Sequence, residues 1–323
     1  MADGRVAMIA TVKDEGPYLL EWIAHHLALG FDGIVVASND CTDGTDHMLD
    51  RLAELGHLTH FDNYPPYKNI GINIQTAAYA RARRYPAVAT ADWVITLDAD
   101  EFLNIKVGAG RIPDLLAVLP DDADLVPICW RMFGDNGLTG WIDAPLTDVQ
   151  TRAATPQNNQ NQCKSLIRDH IRWPIFGPHR PREVADTDPS KRIHSQMYYP
   201  HGVRVKEDNE MHPYRGRFRI VAASWAVAQI NHHFVRTWET FKLKAFRGNV
   251  FRPVPENIFD DPRYSRERYD EFNTNDEEDV SIHRTKPARD RILAELMADP
   301  VLARLHAAAC ASAKERLQAI GMV

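Results

Sequence analysis

The sequence predicts an α/β fold: a doubly wound, mostly parallel sheet with helices on both faces and a helical C-terminal extension. Three observations carry this. Short apolar runs alternate with stretches of helical periodicity through the first third of the chain. Several of those runs end in a polar cluster, as strand ends at ligand sites do. Beyond residue 250 the alternation stops, and the chain closes on an Ala- and Leu-rich stretch.

The elements follow in order. Val6 to Val12 (VAMIATV) is an apolar run bounded by charge and reads as a buried strand. After Gly16-Pro17, Leu19, Leu20, Ile23, Leu27 and Leu29 fall near helical spacing, with Gly30 as the stop. Ile34 to Ala37 is the second strand, and 38–45 (SNDCTDGT) is turn and cap chemistry. A helix is predicted over 46–55, closed by Gly56, and a third strand over 58–61. A Pro- and Tyr-rich loop (63–69) leads to a helix over 72–84 carrying Arg81, Arg83 and Arg84. Trp93 to Leu97 (WVITL) is the fourth strand and delivers Asp98-Ala99-Asp100-Glu101. A helix near 113–119, a strand near 125–129 and a strand over 222–230 come next, with strands and long loops covering the site across 134–215. A helix over 238–246, an irregular linker over 251–285 and a helical tail over 287–320, packing on the main domain, complete the chain. The division expected is a domain over 1–250, with a nucleotide half to about 105 and an acceptor half after it, and then the 251–323 linker and extension.

Bulk properties narrow the function classes. The 323 residues carry a net charge of −6 and a pI near 6.2. That disfavours a nucleic-acid partner, because phosphate backbones select basic surfaces. Cys41, Cys129, Cys163 and Cys310 are scattered with no C-x-x-C pair, which supports neither disulfide staples nor a structural zinc site in a cytoplasmic protein. No secretory signal is visible, and no run approaches the roughly 18 apolar residues of a bilayer span. Association with a membrane would have to come through a partner.

The chemistry concentrates at strand ends. Asp98, Asp100 and Glu101 put three carboxylates in four residues directly after an apolar strand. Desolvated carboxylates repel one another, and a divalent cation resolves the repulsion. Mg²⁺ or Mn²⁺ suits oxygen ligands and leaves positions open for phosphate oxygens. On an extended segment Asp98 and Asp100 would face one ligand and Glu101 the other way. A D-x-D triplet alone is a weak signal, since a solvated turn looks the same; its place after WVITL raises it. Asn231-His232-His233 also follows a strand, and an imidazole suits Mn²⁺. Taken by itself, a structural histidine is the commoner reading. Lys242, Lys244 and Arg247 lie on a short helix, as a solvated face or as a pyrophosphate clamp. The absence of G-x-G-x-x-G, of a P-loop and of G-x-S-x-G disfavours a dinucleotide fold, a P-loop ATPase and an α/β-hydrolase.

These blocks together resemble a known family. TVKDEGPYLLEWIAHHLALGFDGIVVASNDCTDGT (11–45), WVITLDADEFL (93–103) and INHHFVRTWETFKLKAFRG (230–248) are similar, in order and spacing, to the family-2-like and family-92-like glycosyltransferases of the GT-A fold. The resemblance spans roughly 1–250. Cys41 stands where the family commonly has Ser, and His233 where it often has Tyr. It implies a metal-dependent transfer of a sugar, a hexose, from a UDP-sugar to a glycan or other hydroxyl acceptor, with inversion and with Mn²⁺ or Mg²⁺. It implies that Asp98 lies near the ribose or a metal-bound water, that Asp100 ligates the metal, and that His232 is the far-side metal or diphosphate contact. Thr11, Lys13, Glu15, Asn39 and Asp40 would line the nucleoside pocket, and Lys244 and Arg247 the diphosphate. Lys164 and Arg168 sit in a stretch similar to a basic strand of the family.

An inverting transfer needs a base in line with the breaking bond. Asp135 is the first candidate and Glu210 and Asp208 are others, although a surface turn residue is the commoner role for each. Trp130, Trp141 and Trp173 are candidates for stacking on an acceptor sugar, against the commoner role of packing. Two other functions remain open. A sugar nucleotidylyltransferase would share the sheet but calls for a Gly-rich basic loop after strand one, and TVKDEGPY has none. A binding module that lost its chemistry would have no need of clustered carboxylates.

Overall fold

The computed structural model describes residues 4–63, 74–182, 196–205, 222–247 and 262–321. The first half alternates as expected: β1 (Val6–Val12), α1 (Gly16–Leu29), β2 (Gly33–Ser38), α2 (Thr45–Glu54), β3 (Thr59–Asp62), α3 (Ile74–Ala82) and β4 (Trp93–Leu97). Four more strands complete the main sheet: β5 (Glu101–Ile105), β6 (Leu125–Met132), β7 (Cys163–Arg168) and β8 (Ala228–His232). Then come α4 (Trp238–Arg247), α5 (Arg266–Phe272), α6 (Lys286–Ala298) and α7 (Pro300–Ala319).

The sheet runs β3-β2-β1-β4-β7-β6-β8-β5. It is parallel from β3 through β4, antiparallel on both sides of β7, parallel from β6 to β8, and antiparallel at β5. Both faces are covered, which is why β1 reads as continuous apolar sequence. Val6, Met8, Ala10 and Val12 point to the core shared with α1, α2, α6 and α7. Ala7 and Ile9 point to a second core with Ala78, Tyr79 and Ala82 of α3. That split is the period of two of a strand.

The sheet is curled, and chain length shows why. β4 and β5 stand four strands apart, a distance of about 19 Å in a flat sheet. Only residues 98–100 join them, and that link spans at most about 14 Å. Bending occurs along β6, whose first half (125–129) pairs with β7 and whose last three residues pair with β8. The curl carries the β4–β5 turn to the mouth of the fold.

Helix α1 packs beneath that turn. Pro17 opens it, and Gly30, left-handed at φ 81°, closes it by donating its N–H to Leu27 O. Its Trp22 Nε1 donates to Glu101 O at 2.8 Å, and His25 Nε2 lies 2.8 Å from Leu103 O. Gly16 is needed for close approach: a Cβ there would lie 2.5 Å from Ala309 Cβ of α7.

The later chain departs from the sequence reading in three places. Residues 222–225 form a 3₁₀ turn and the strand begins at Ala228. Part of the predicted linker is α5, capped by Ser265 Oγ accepting from Arg268 N. The helical tail is broken in two. Pro300 has no N–H to continue α6, and the Asp299 carboxylate caps the N–H groups of Val301 and Leu302 while pairing with Arg51 at 2.7 Å. No helix among the described residues is long and apolar enough to cross a membrane.

Candidate active site

The carboxyl ends of β1, β2 and β4 lie side by side in the parallel half of the sheet and present Lys13-Asp14-Glu15, Asn39-Asp40 and Asp98-Ala99-Asp100. Asp98 to Asp100 form a tight turn rather than an extended segment, so the expected sharing of faces is corrected. Asp98 and Glu101 go together. Lys164 Nζ of β7, fully buried, stands 2.9 Å from Asp98 Oδ2 and 3.2 Å from Glu101 Oε2. Glu101 Oε2 also accepts from Asp98 N at 3.0 Å, while Gln75 Nε2 donates to Asp98 Oδ1 at 3.0 Å. Burial, reinforced by the neighbouring Asp98 charge, pushes the Glu101 carboxyl well above its usual range. Its Oε1 has no hydrogen-bond donor among the described residues.

Asp100 turns to another set of partners. Lys244 Nζ of α4 reaches Oδ2 at 2.6 Å, and His232 Nε2 at the end of β8 lies 3.5 Å from Oδ1. Burial alone would raise this carboxyl, but Lys244, then His232 and Arg236, offset burial and hold it well below the usual range. The His232 ring packs on Trp130, centroids 4.2 Å apart. The next residue, His233, donates its backbone N–H to Asp100 O at 2.9 Å, fastening β8 to the turn. Its ring faces Gln150, and burial, then the Arg236 charge, depresses its pKa to about 3.

Arg236 is the residue sequence reading missed. It adopts φ 52°, in the left-handed region that a large side chain enters at a cost of about 1 kcal/mol or more. From there its guanidinium stacks on Tyr18 at 3.8 Å, pairs with buried Glu15 at 2.9 Å and approaches Ala99 O at 3.4 Å. Asp14 and Asp40, at φ 49° and 47°, are also left-handed. A small cleft opens beside this cluster, its charged rim formed by Asp14, Asp43, Arg236, Lys244 and Arg316 and its walls by apolar groups that include Pro17, Leu243 and Ala309. It reaches Lys244 but not the Asp98 or Asp100 carboxylates. Arg316, from α7, bonds Thr42 Oγ1 at 2.9 Å and approaches Asp14 at 3.4 Å, so the tail forms one wall.

Other expected residues fall in several places. Thr11 and Lys13 are half-buried at the end of β1 and Asp40 is exposed. Asn39 is buried and accepts from Asn63 Nδ2 at 2.8 Å. Lys242 faces away from the carboxylates, donating to Tyr264 O at 2.9 Å, a correction to the three-residue clamp. Glu210 and Asp208 lie outside the described residues, as does the side chain of Arg247. Asp135, expected as the base, is corrected too. Its carboxylate accepts from Tyr269 Oη, Asn273 Nδ2, Asn275 Nδ2 and Gly137 N at 2.6–3.2 Å. All four donors come from the protein itself, so this carboxylate holds residues 135–137 to the 269–275 segment. Trp173 is core, and Trp141 stacks under Lys314.

No family model matches the chain. Curated relatives do. A protein of Ricinus communis is 23% identical over 244 residues, covering 72% of this chain and 36% of the relative. One of Arabidopsis thaliana is 22% identical over the same length, and one of Oryza sativa subsp. japonica is 24% identical over 243 residues. All three are glycosyltransferase family 92 proteins. The chain thus spans about a third of the length of these relatives. Among solved structures, S. aureus TarS 1–349 in complex with UDP covers 75% of this chain at 18% identity, with a TM-score of 0.35, a likeness too slight to carry weight.

Proposed function

We propose that the chain is a glycosyltransferase that moves a sugar, a hexose, from a nucleoside-diphosphate donor, UDP-linked, to a hydroxyl acceptor with inversion. One observation carries the reading: Asp100 is held on a turn at the carboxyl edge of the sheet between Lys244 and His232, beside a cleft edged by Arg236. The family 92 names of the relatives support it.

Cationic groups around a fixed carboxylate suit a diphosphate leaving group, because they stabilise charge where it develops. Arg236 and Lys244 line the cleft and would take the diphosphate oxygens. Asp14, at the end of β1, would take ribose or base hydrogen bonds, and Tyr18 an aromatic contact.

The donor set fits a divalent cation through Asp100 and His232. An oxygen and an imidazole nitrogen 3.5 Å apart are close to the separation of two ligands on one Mn²⁺. Asp98, directed at Lys164, then serves by position and not as a ligand. When bound, the ion would add positive charge against the diphosphate. Lys164 and Lys244 already answer the carboxylates, so much of the repulsion that a divalent cation would resolve is met by the protein itself. Mn²⁺ is accordingly the reading to test, with Mg²⁺ as its substitute.

The test is thermal shift with nucleoside diphosphates, with and without Mn²⁺. UDP is expected to raise Tm, and more with Mn²⁺. Asp100→Ala is expected to remove the metal-dependent part and leave the fold intact. No shift with any nucleotide overturns the proposal; a UDP shift indifferent to Mn²⁺ overturns the metal alone.

A further inference from the structure

The four cysteines are scattered along the sequence, yet one of them has company in space. Cys310 lies on α7 one turn after His306, and its Sγ is 3.6 Å from His306 Nε2. Asp143 approaches from the loop that follows β6. The three side chains each offer a ligand atom, and these atoms lie within 4.8 Å of one another, the only such trio among the described residues. His306 Nδ1 is sealed from solvent with no hydrogen-bond partner among the described residues. Cys310 is 7% exposed and Asp143 is at the surface, so the cluster is closed on the helix side and open on the other.

The geometry points to a second, independent cation site at Asp143, His306 and Cys310, taking Zn²⁺. Several features select that ion. A thiolate and an imidazole are the ligands borderline-soft zinc prefers, and a carboxylate completes the three protein ligands that leave a fourth position for water. Mg²⁺ and Ca²⁺ favour all-oxygen sets and are excluded by the sulfur. His306 and Cys310 at i and i+4 share one helix face, so two ligands are placed before any metal arrives. The third comes from a loop already docked one turn further on, where Trp141 packs against Lys314 at 4.8 Å. As the Zn–S bond forms, the thiol proton leaves to solvent and no electron moves.

The site would tie the C-terminal helix to the 138–145 loop. That loop lines a second small pocket together with Tyr18 and Arg236. It is separate from Asp100 and His232 and stands or falls without the glycosyltransferase reading.

The test uses the full chain. It is incubated with Zn²⁺, desalted, and its metal counted by inductively coupled plasma mass spectrometry. One equivalent is expected to remain. Cys310→Ser and His306→Ala, each checked by circular dichroism, are expected to lose it, and Asp143→Asn to retain at least tenfold less after dialysis. Asp100→Ala is expected to keep it. With Co²⁺ a thiolate-to-metal charge-transfer band is expected in the near ultraviolet, absent in Cys310→Ser and present in Cys41→Ser. Failure of the wild type to retain zinc overturns the inference. Retention in both Cys310→Ser and His306→Ala, or a thiolate band surviving Cys310→Ser, overturns it equally.

Discussion

Glu15 and Arg236 are each 4% exposed, so their pair has little water to fall back on. Removing one partner of such a pair leaves a buried charge uncompensated and costs about 3–5 kcal/mol. Arg236→Met should therefore destabilise by that order in urea titration, although it relieves nothing of the backbone strain at φ 52°. Adding Glu15→Gln should recover part of the loss, and a double-mutant cycle reads the coupling. Additive effects would show that the pair is not the source. Sequence singled out Glu15 but not its partner, because nothing local marks an arginine 221 positions away as the counter-charge. The same limit explains Asp100 and Lys244. Both were legible as types at strand and helix ends; that they pair with each other, while Asp98 and Glu101 share Lys164, depends on the turn and the curl.

At the scale of elements, α1 is the clearest success and the clearest omission. Its apolar spacing and Gly30 stop were readable, but its face also buries His25 and His26 against β5, and β8 is followed by buried His233. Burial drives His25 to about 4 and His233 to about 3, and His26 well below its usual value. Each is neutral when folded and takes a proton when unfolded near pH 6.5. Their contribution is whole above that pH and drains as pH falls toward the folded values, at ~1.4 kcal/mol per pH unit for each ring. Urea midpoints between pH 6.5 and 4.5 should fall steeply, and His25→Gln should reduce the slope by one proton; an unchanged slope would show that His25 titrates normally. Gly16 marks a second contact between elements. Gly16→Ala should push α7 from α1, lower Tm by several degrees and expose 300–321 to protease first. Unaltered proteolysis would mean the helices give way without cost.

At the scale of the whole molecule, the described tail (262–321) packs into the core of the first 250 residues. Leu296, Leu302 and Ala309 of the tail belong to the same core as β1, α1 and β5. Arg289 of α6 pairs with Glu21 of α1 at 3.4 Å and Asp148 at 2.9 Å. The described chain should then unfold in one transition, with tryptophan fluorescence and helical circular dichroism falling together. Two separated transitions would mark the tail as an independent unit. The parallel half of the sheet was legible because each strand has its own apolar run and its own stop. The region after 134 was not, since its short strands and 3₁₀ turns are held by partners far along the chain. Asn273 and Asn275, for example, grip Asp135 across more than a hundred residues.

The three-residue link between β4 and β5 has a mechanical side. A turn too short to cross a flat sheet works as a drawstring, and the bow it holds is stored along β6. Any breathing that straightens β6 must drag Asp98 and Asp100 with it, and anything that clasps those two carboxylates in place must in turn stiffen a strand it never touches. The placing of the turn at the mouth of the fold and the rigidity of its centre are thus one degree of freedom seen from opposite ends.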